Sequence, residues 1–280
     1  MAIVNFIPEV WSAKLLVALR NSLVYGADGV VNREYEGEIS QYGDTVHITS
    51  LVDPTIGNYT AHTDITVEDV DDADQVLTIT QSKYFAFEVD DIEKRQAKGE
   101  VLSQQAIAAA WKLRDVADKY LAGLMATGVA AGNLLAESTV TAANAYEKLV
   151  DLGTKLDESN VPTENRFAII TPKFHGLLQK DSRFIAAGDA QGAGVRTNGR
   201  VGQAAGFSLR MSNNAPDGPG AGAGKLIIAG SSMATTFAEQ IAKTEAARRE
   251  LRFADMVKGL HLYGGKVVRP TALAAADVII

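Results

Sequence analysis

Residues 77–96 read Leu-Thr-Ile-Thr-Gln-Ser-Lys-Tyr-Phe-Ala-Phe-Glu-Val-Asp-Asp-Ile-Glu-Lys-Arg-Gln, and a change of period inside this stretch decides the fold. Up to Val89 the period is two. Leu77, Ile79, Phe85, Phe87 and Val89 share one face of a strand predicted from Val76 to Val89. From Asp90 the period lengthens. Asp90 and Glu93 have the spacing of a capping box. Leu102, Ala106, Ala109, Leu113, Val116, Tyr120 and Leu124 then recur every three or four residues. The pattern predicts a single helix of about 30 residues, far above the usual length.

Upstream, Gly43 to Val52 reads as a second strand, with Val46, Ile48 and Ser50 alternating with His47, Thr49 and Leu51. The connector between the strands, Asp53 to Asp74, is acidic, holds Pro54 and Gly57, and has a weak strand signal at Ile65-Thr66-Val67. Compact domains seldom keep a loop that long without a task. It is either a surface loop or a projecting hairpin that reaches a partner, and the hairpin is the expectation. Glu68, Asp69, Asp71, Asp72 and Asp74 crowd its end. Counted from Asp69, Asp74 stands where a calcium loop needs glycine. The cluster reads as a solvated tip, with an incidental divalent cation or a basic partner surface as the alternative.

Further upstream, Pro8 suits the first turn of a helix. Val10, Leu15, Leu16, Leu19 and Leu23 follow at helical spacing, with Trp11 nearby. This amphipathic helix either packs on its own core or docks on a neighbouring subunit as an arm. The break at Gly26-Ala27-Asp28-Gly29 follows immediately and is compatible with a separate arm, and both readings stay open.

Downstream, a helix is expected from Ala142 to Glu158, a buried strand at Arg166 to Ile170, and a helix started by Thr171-Pro172 and running through Leu178. A glycine-rich segment holds Gly188, Gly192, Gly194, Gly199 and Gly202. Strands Phe207 to Met211 and Lys225 to Ala229 bracket a second such link, Asp217 to Gly224. From Thr235 onward mostly strand is expected, with a bend at Gly264-Gly265. The uncharged stretch Tyr120 to Ala136 is shorter than the roughly 20 residues of a membrane span. It reads as a helix end followed by a loop. Parallel βαβ alternation is missing, so the fold class is α+β.

The chain has 280 residues, with 27 Lys+Arg against 34 Asp+Glu, a net charge of −7. That argues against a general nucleic-acid binder, while leaving room for a local basic patch. The absence of cysteine excludes disulfides, Cys zinc sites and Cys nucleophiles. No basic n-region precedes an apolar run at the opening, so no targeting segment is expected. His47, His62, His175 and His261 include no pair at metal-ligand spacing. Gly230-Ser231-Ser232-Met233-Ala234 lacks the last glycine of a nucleophile elbow. Gly218 to Lys225 invites a phosphate-loop reading, but Pro219 replaces the first glycine, Leu226 replaces Ser or Thr, and the segment precedes a strand. Arg248, Arg249 and Arg252 are interleaved with Glu245 and Glu250, which suggests ion pairs. No catalytic constellation, cofactor motif or metal set emerges.

Four stretches resemble the major capsid (coat) proteins of tailed bacteriophages with the HK-97-like fold, in the branch that assembles with a separate scaffolding protein. They are Phe6-Ile7-Pro8-Glu9-Val10-Trp11; residues 77–85 with Val89 to Gln96; Asn198-Gly199-Arg200-Val201-Gly202 with Gly206-Phe207 and Ser212-Asn213-Asn214; and Glu245 to Glu250 through Tyr263-Gly264-Gly265-Lys266-Val267-Val268-Arg269-Pro270. They span nearly the whole chain in the family's order. The resemblance implies an N-terminal arm (1–32) and a peripheral part (33–141) with an extended loop (43–89) and a spine helix (91–125). An axial domain (142–229) follows, and C-terminal strands (230–280) return to the peripheral domain. It implies Trp11, Leu15, Tyr59, Ile65, Val67, Asp71 and Asp72 as subunit-interface candidates.

The implied function is structural, with no catalysis, no cofactor and no membrane. Pentamers and hexamers would close into an icosahedral head around double-stranded DNA bound without sequence preference. The implied partners are a separate scaffolding protein, a portal and a decoration protein. The implied location is the virion capsid, assembled in the host bacterial cytoplasm. A covalent lysine–asparagine cross-link, known in some members of the fold, is not expected. Two alternatives remain at this point: an encapsulin-like nanocompartment shell, and an enzyme using a glycine-rich loop for a phosphorylated ligand.

Overall fold

The computed structural model describes residues 23–34, 45–51, 56, 58, 64, 72–90, 101–181, 202–249 and 253–280. The expected arm helix before Leu23, most of the connector, the continuation of the capping box past Asp90 and the first glycine-rich segment lie outside these residues.

The period-two stretch forms two strands, not one. Strand β1 (Thr45–Leu51) pairs antiparallel with β2 (Asp72–Thr78), from Thr45 opposite Thr78 to Leu51 opposite Asp72. The chain steps through Ile79 and Thr80 into β3 (Gln81–Asp90), which leaves β1–β2 and pairs with β10 (Ala254–Val267). Leu77 and Ile79 bury themselves with Ile48, Ala238 and Leu262, whereas Phe85 packs against Ala110 and Leu113. The alternation keeps its parity across the break, so period alone does not reveal it.

A three-stranded sheet has the order β3-β10-β9, with β9 at Thr235–Arg248. Helix α1 (Val101–Gly128) covers one face, and the base of the β1–β2 hairpin covers the other. The expected bend at Gly264-Gly265 is absent. Both glycines sit inside β10, opposite Ala238 and Phe237. A Cβ on Gly264 would stand 2.6 Å from the Thr78 carbonyl oxygen, and one on Gly265 would stand 3.0 Å from Leu124 Cδ2. The pair serves close approach of two layers from opposite faces. The buried ridge of α1 runs through Ala110, Leu113, Ala117, Leu121 and Met125. Val116, placed on the core stripe by its spacing, is 40% exposed. Small residues at 110 and 117 let the helix lie close to the sheet, which turns the bulkier Val116 outward.

The second sheet has six strands in the order β4-β11-β8-β5-β7-β6. These are β4 (Leu134–Thr139), β5 (Arg166–Ile170), β6 (Gln203–Ala204), β7 (Phe207–Met211), β8 (Lys225–Ser231) and β11 (Leu273–Ile279). The stretch expected to be a loop after α1 contains β4, an edge strand recruited by parallel pairing to β11. Its half-exposed Leu-Leu-Ala-Glu-Ser-Thr has little strand character of its own. β5, β8 and β11 are buried nearly throughout, as their unbroken apolar runs require.

Helix α2 (Ala145–Glu158) buries Ala145, Leu149, Leu152 and Leu156. It stops in a Schellman turn, where Asn160 takes φ 54° and Val161 N–H donates to the Leu156 carbonyl at 3.0 Å. Helix α3 (Pro172–Lys180) begins as expected, with the Thr171 hydroxyl accepting from Phe174 N–H at 3.2 Å. One continuous core joins residues 23–31, α1, α2, α3 and the six-stranded sheet. No helix among the described residues is long and apolar enough to cross a membrane.

Candidate assembly surfaces

Residues 23–34 cross the body as a strap held from two sides. On one side, Asp118 of α1 is fully buried and accepts from the backbone N–H of Val24 and Tyr25 at 3.2 Å. Burial pushes its carboxyl up, against the backbone donors and the charge of Arg114, which act to lower it. On the other side, Arg33 reaches the three-stranded sheet. Its Nε donates to the Gly26 carbonyl at 3.0 Å, its Nη2 lies 3.1 Å from Glu239 Oε1, and its guanidinium covers the Phe237 ring at 5.2 Å. Glu239 Oε2 lies 3.3 Å from His261 Nε2. Burial alone would raise the Glu239 carboxyl. The hydrogen bond from His261 and the charges of Arg33 and His261 overcome that and hold it below the usual carboxylate range. Asn32 adds backbone bonds to Thr235 and Phe237, both at 2.9 Å. The chain is thus anchored to the body over residues 24–33.

The hairpin is anchored at its base. Lys266 Nζ donates to the Val76 carbonyl at 3.0 Å, and Gln75 Nε2 donates to the Val268 carbonyl at 3.3 Å. Beyond it, β3, β9 and β10 run on as a ribbon laced by ion pairs. Lys258 lies 2.7 Å from Glu245, Arg249 lies 3.1 Å from Glu88, and Arg248 lies 3.6 Å from Asp255. The interleaved charges read from the sequence are therefore paired, and each exposed pair contributes at most about 1 kcal/mol. Arg252 and Glu250 lie outside the described residues.

The glycine-rich link before β8 is a carboxylate cradle. Gly220 N–H donates to Asp277 Oδ2 at 3.0 Å, and Gly222 N–H donates to Glu137 Oε1 at 2.8 Å. A Cβ at Gly218 or Gly224 would overlap the Asp277 carboxylate. Lys225, the residue that suggested a phosphate, pairs with Asp217 at 2.5 Å. These backbone donors already serve protein anions, and a phosphate beside Glu137 and Asp277 would meet like charge. The enzyme alternative has no support here. Among the described residues no group of three or more His, Cys, Asp or Glu could hold a metal.

Of the interface candidates, Trp11, Leu15, Tyr59, Ile65, Val67 and Asp71 lie outside the described residues. Asp72 opens β2 opposite Leu51. Sequence reasoning passed over Asp118, Arg33 and Glu239, although Asp118 betrays itself as a charge inside the apolar ridge of α1. It also passed over three exposed aromatics: Trp111, 51% exposed, Tyr84, 79%, and Phe253, 78%.

The α+β body with its long helix against a three-stranded sheet matches chains of the HK-97-like capsid fold. Residues 73–276 match the family described as phage capsid protein. The chain belongs to that family. A solved chain of Mycobacterium phage Che8 is 31% identical, covers 88% of both chains and superposes with a TM-score of 0.75. The capsid of Cyanophage P-SCSP1u gives 18% identity, 86% and 85% coverage and a TM-score of 0.71. The mature capsid of bacteriophage PhiM1 gives 16%, 88% and 87%, and 0.65. No curated protein sequence matches the chain. The protein is a structural subunit of a virion capsid, a multimeric shell, and not an enzyme.

Proposed function

We propose that this subunit assembles through pentamers and hexamers into an icosahedral head that encloses double-stranded DNA. The anchored bases of strap and hairpin carry this reading. Each projection leaves a rigid body at a fixed point, which suits contacts distributed over neighbours in a closed shell. Trp11 and Leu15 of the arm, and Tyr59, Ile65, Val67, Asp71 and Asp72 of the hairpin, are the contact residues of this proposal. Residues 1–32 form its arm, 33–141 its peripheral part, 142–229 its axial part and 230–280 its C-terminal strands. Membership of β4 and β11 in the six-stranded sheet supports moving those two strands to the axial part.

A separate scaffolding protein, a portal and a decoration protein complete the assembly, which takes place in the bacterial cytoplasm. The net charge of −7 keeps the wall from gripping packaged DNA. Screening confines that repulsion to about 8 Å at physiological salt, so packaging is not opposed over distance.

Electron microscopy with light-scattering mass tests the reading. Uniform hollow particles are expected on co-expression with the scaffolding protein. Replacing residues 53–70 by an Asn-Gly turn is expected to leave a folded monomer that forms no shells. Normal particles from that variant would overturn the role given to the hairpin. Particles filled with a protein cargo instead of DNA would favour a nanocompartment.

A further inference from the structure

Asp followed by Gly occurs twice in the chain, at Asp28-Gly29 and at Asp217-Gly218. In such a pair the glycine nitrogen can attack the aspartate side-chain carbon, because no Cβ shields it. The fold treats the two places differently. Gly218 N–H donates to the Gly224 carbonyl at 2.9 Å, in the turn that surrounds the Asp277 carboxylate. Closing a ring there would break that bond. No comparable bond holds Gly29 N–H among the described residues. Gly29 is exposed with φ 83°, and the Asp28 side chain is 95% exposed.

Two arginines flank Asp28. Arg33 Nε, whose guanidinium also holds Glu239 of β9, lies 3.8 Å from the Asp28 carboxylate. Arg210, from β7, donates through Nη2 to the Asp28 backbone carbonyl at 2.9 Å. One cation therefore meets the side-chain carbonyl group and the other meets the main-chain one. A cleft of about 420 Å³, lined in part by Asp28, Gly29, Arg33 and Ser232, admits water beside them.

We propose that Asp28 is a site of spontaneous isomerisation to isoaspartate, directed by Arg210. The Gly29 nitrogen bonds to Cγ of the neutral carboxyl, whose hydroxyl leaves with the amide proton as water. The product is a succinimide. Water then adds at one of its two carbonyl carbons. Addition at Cγ restores aspartate. Addition at the α-carbonyl breaks that carbon's bond to the Gly29 nitrogen, which takes back a proton. Isoaspartate with a free α-carboxylate remains. One water is lost and one is gained, and nothing is oxidised or reduced.

Arg210 already donates to the α-carbonyl oxygen, so it polarises that carbonyl and stabilises the charge that develops there as water adds. It then holds the product carboxylate by a charge-assisted hydrogen bond. Net charge is unchanged, but the negative group moves from beside Arg33 to beside Arg210, and the strap's backbone gains one methylene. The attachment of the strap thereby shifts from the three-stranded sheet toward the six-stranded one. This inference goes beyond the shell reading and does not rest on it.

The test ages the full-length folded chain in buffer and reads its peptides by electron-transfer mass spectrometry, which distinguishes the isomers. Isoaspartate is expected to accumulate at residue 28 at least about tenfold faster than at residue 217, the scale of one hydrogen bond. In urea the two rates are expected to converge. Asn198-Gly199 lies outside the described residues and reacts with loss of ammonia, so the mass of its peptide keeps it apart.

Asp28→Asn reaches the same succinimide by losing ammonia, and its ratio of isoaspartate to aspartate reports the second step alone. That ratio is expected to be higher in the folded chain than in urea, and to fall about tenfold when Arg210→Ala is added. Thermal unfolding is followed in parallel. Should Arg210→Ala fail to fold, the comparison of folded and urea-unfolded Asp28→Asn still decides. Equal rates at 28 and 217 in the folded chain, or a product ratio indifferent to folding, overturn the inference and leave the shell reading untouched.

Discussion

Asp118 and Glu239 hold the same twelve-residue strap from two different elements, and their carboxyls are displaced in opposite directions. Asp118 is buried against backbone donors and is raised. Glu239 is buried between Arg33 and His261 and is lowered. The strap's attachment therefore has two opposing pH dependences.

The raised Asp118 contributes stability that is fully present below its ordinary value of 3.8 and is lost as pH rises through its folded value. The lowered Glu239 contributes stability that is present above 4.5 and is lost as pH falls through its folded value. Urea unfolding of the monomer from acid to neutral pH checks this. Asp118→Asn is expected to gain on wild type as pH rises. Glu239→Gln is expected to show its largest deficit above 4.5, shrinking on acidification. The same slope for both variants would contradict the assignment.

Removing one partner of a buried ion pair leaves the other uncompensated. Arg33→Ala strands Glu239, whose side chain has no exposure, and is expected to cost about 3–5 kcal/mol. Lys225→Ala breaks a pair whose side chains are 49% and 80% exposed and is expected to stay within about 1 kcal/mol. Denaturant midpoints at constant m-value measure both. Equal effects would mean that the Arg33 pair is not buried in solution.

Gly264→Ala is expected to be more damaging than Gly265→Ala. The first places a methyl against the rigid Thr78 carbonyl, whereas the second meets the movable ends of Leu121 and Leu124. Overpacking of the first kind costs about 1–3 kcal/mol. A reversed order of melting temperatures would remove the reason for placing the hairpin layer at Gly264.

The glycine cradle offers a coupling test. Gly218→Ala collides with the Asp277 carboxylate, and Asp277→Ala removes that carboxylate. The double variant is expected to be more stable than the sum of the singles predicts, by at least about 0.5 kcal/mol. Simple additivity would show that loop and carboxylate do not touch.

Much of this architecture was legible wherever one segment decides its own state. α2, α3, β5, β7 and β8 follow from apolar spacing, a Thr-Pro start and unbroken hydrophobic runs. What escaped was decided by distant partners. The break at Thr80 is silent because Leu77 and Phe85 have the same parity but enter different clusters. β4 exists through a strand some 140 residues away. Gly264-Gly265 reads as a bend because a glycine pair that admits two layers has the same spelling as one that turns the chain. The interface candidates on the arm and hairpin came from a family resemblance. Trp111, whose exposure needs the fold to be seen, has no such signature in the sequence.

The hairpin strands β1 and β2 pair only with each other among the described residues, and the body holds them at the base. Adding or removing residues between Leu51 and Asp72 in matched pairs changes reach without changing any register of the three- or six-stranded sheet. If the hairpin is an intersubunit contact, as proposed, subunit spacing becomes a dimension that can vary independently of foldability. A lineage, or an engineer, could then change the curvature and size of a container while the body that carries the hairpin stays the same.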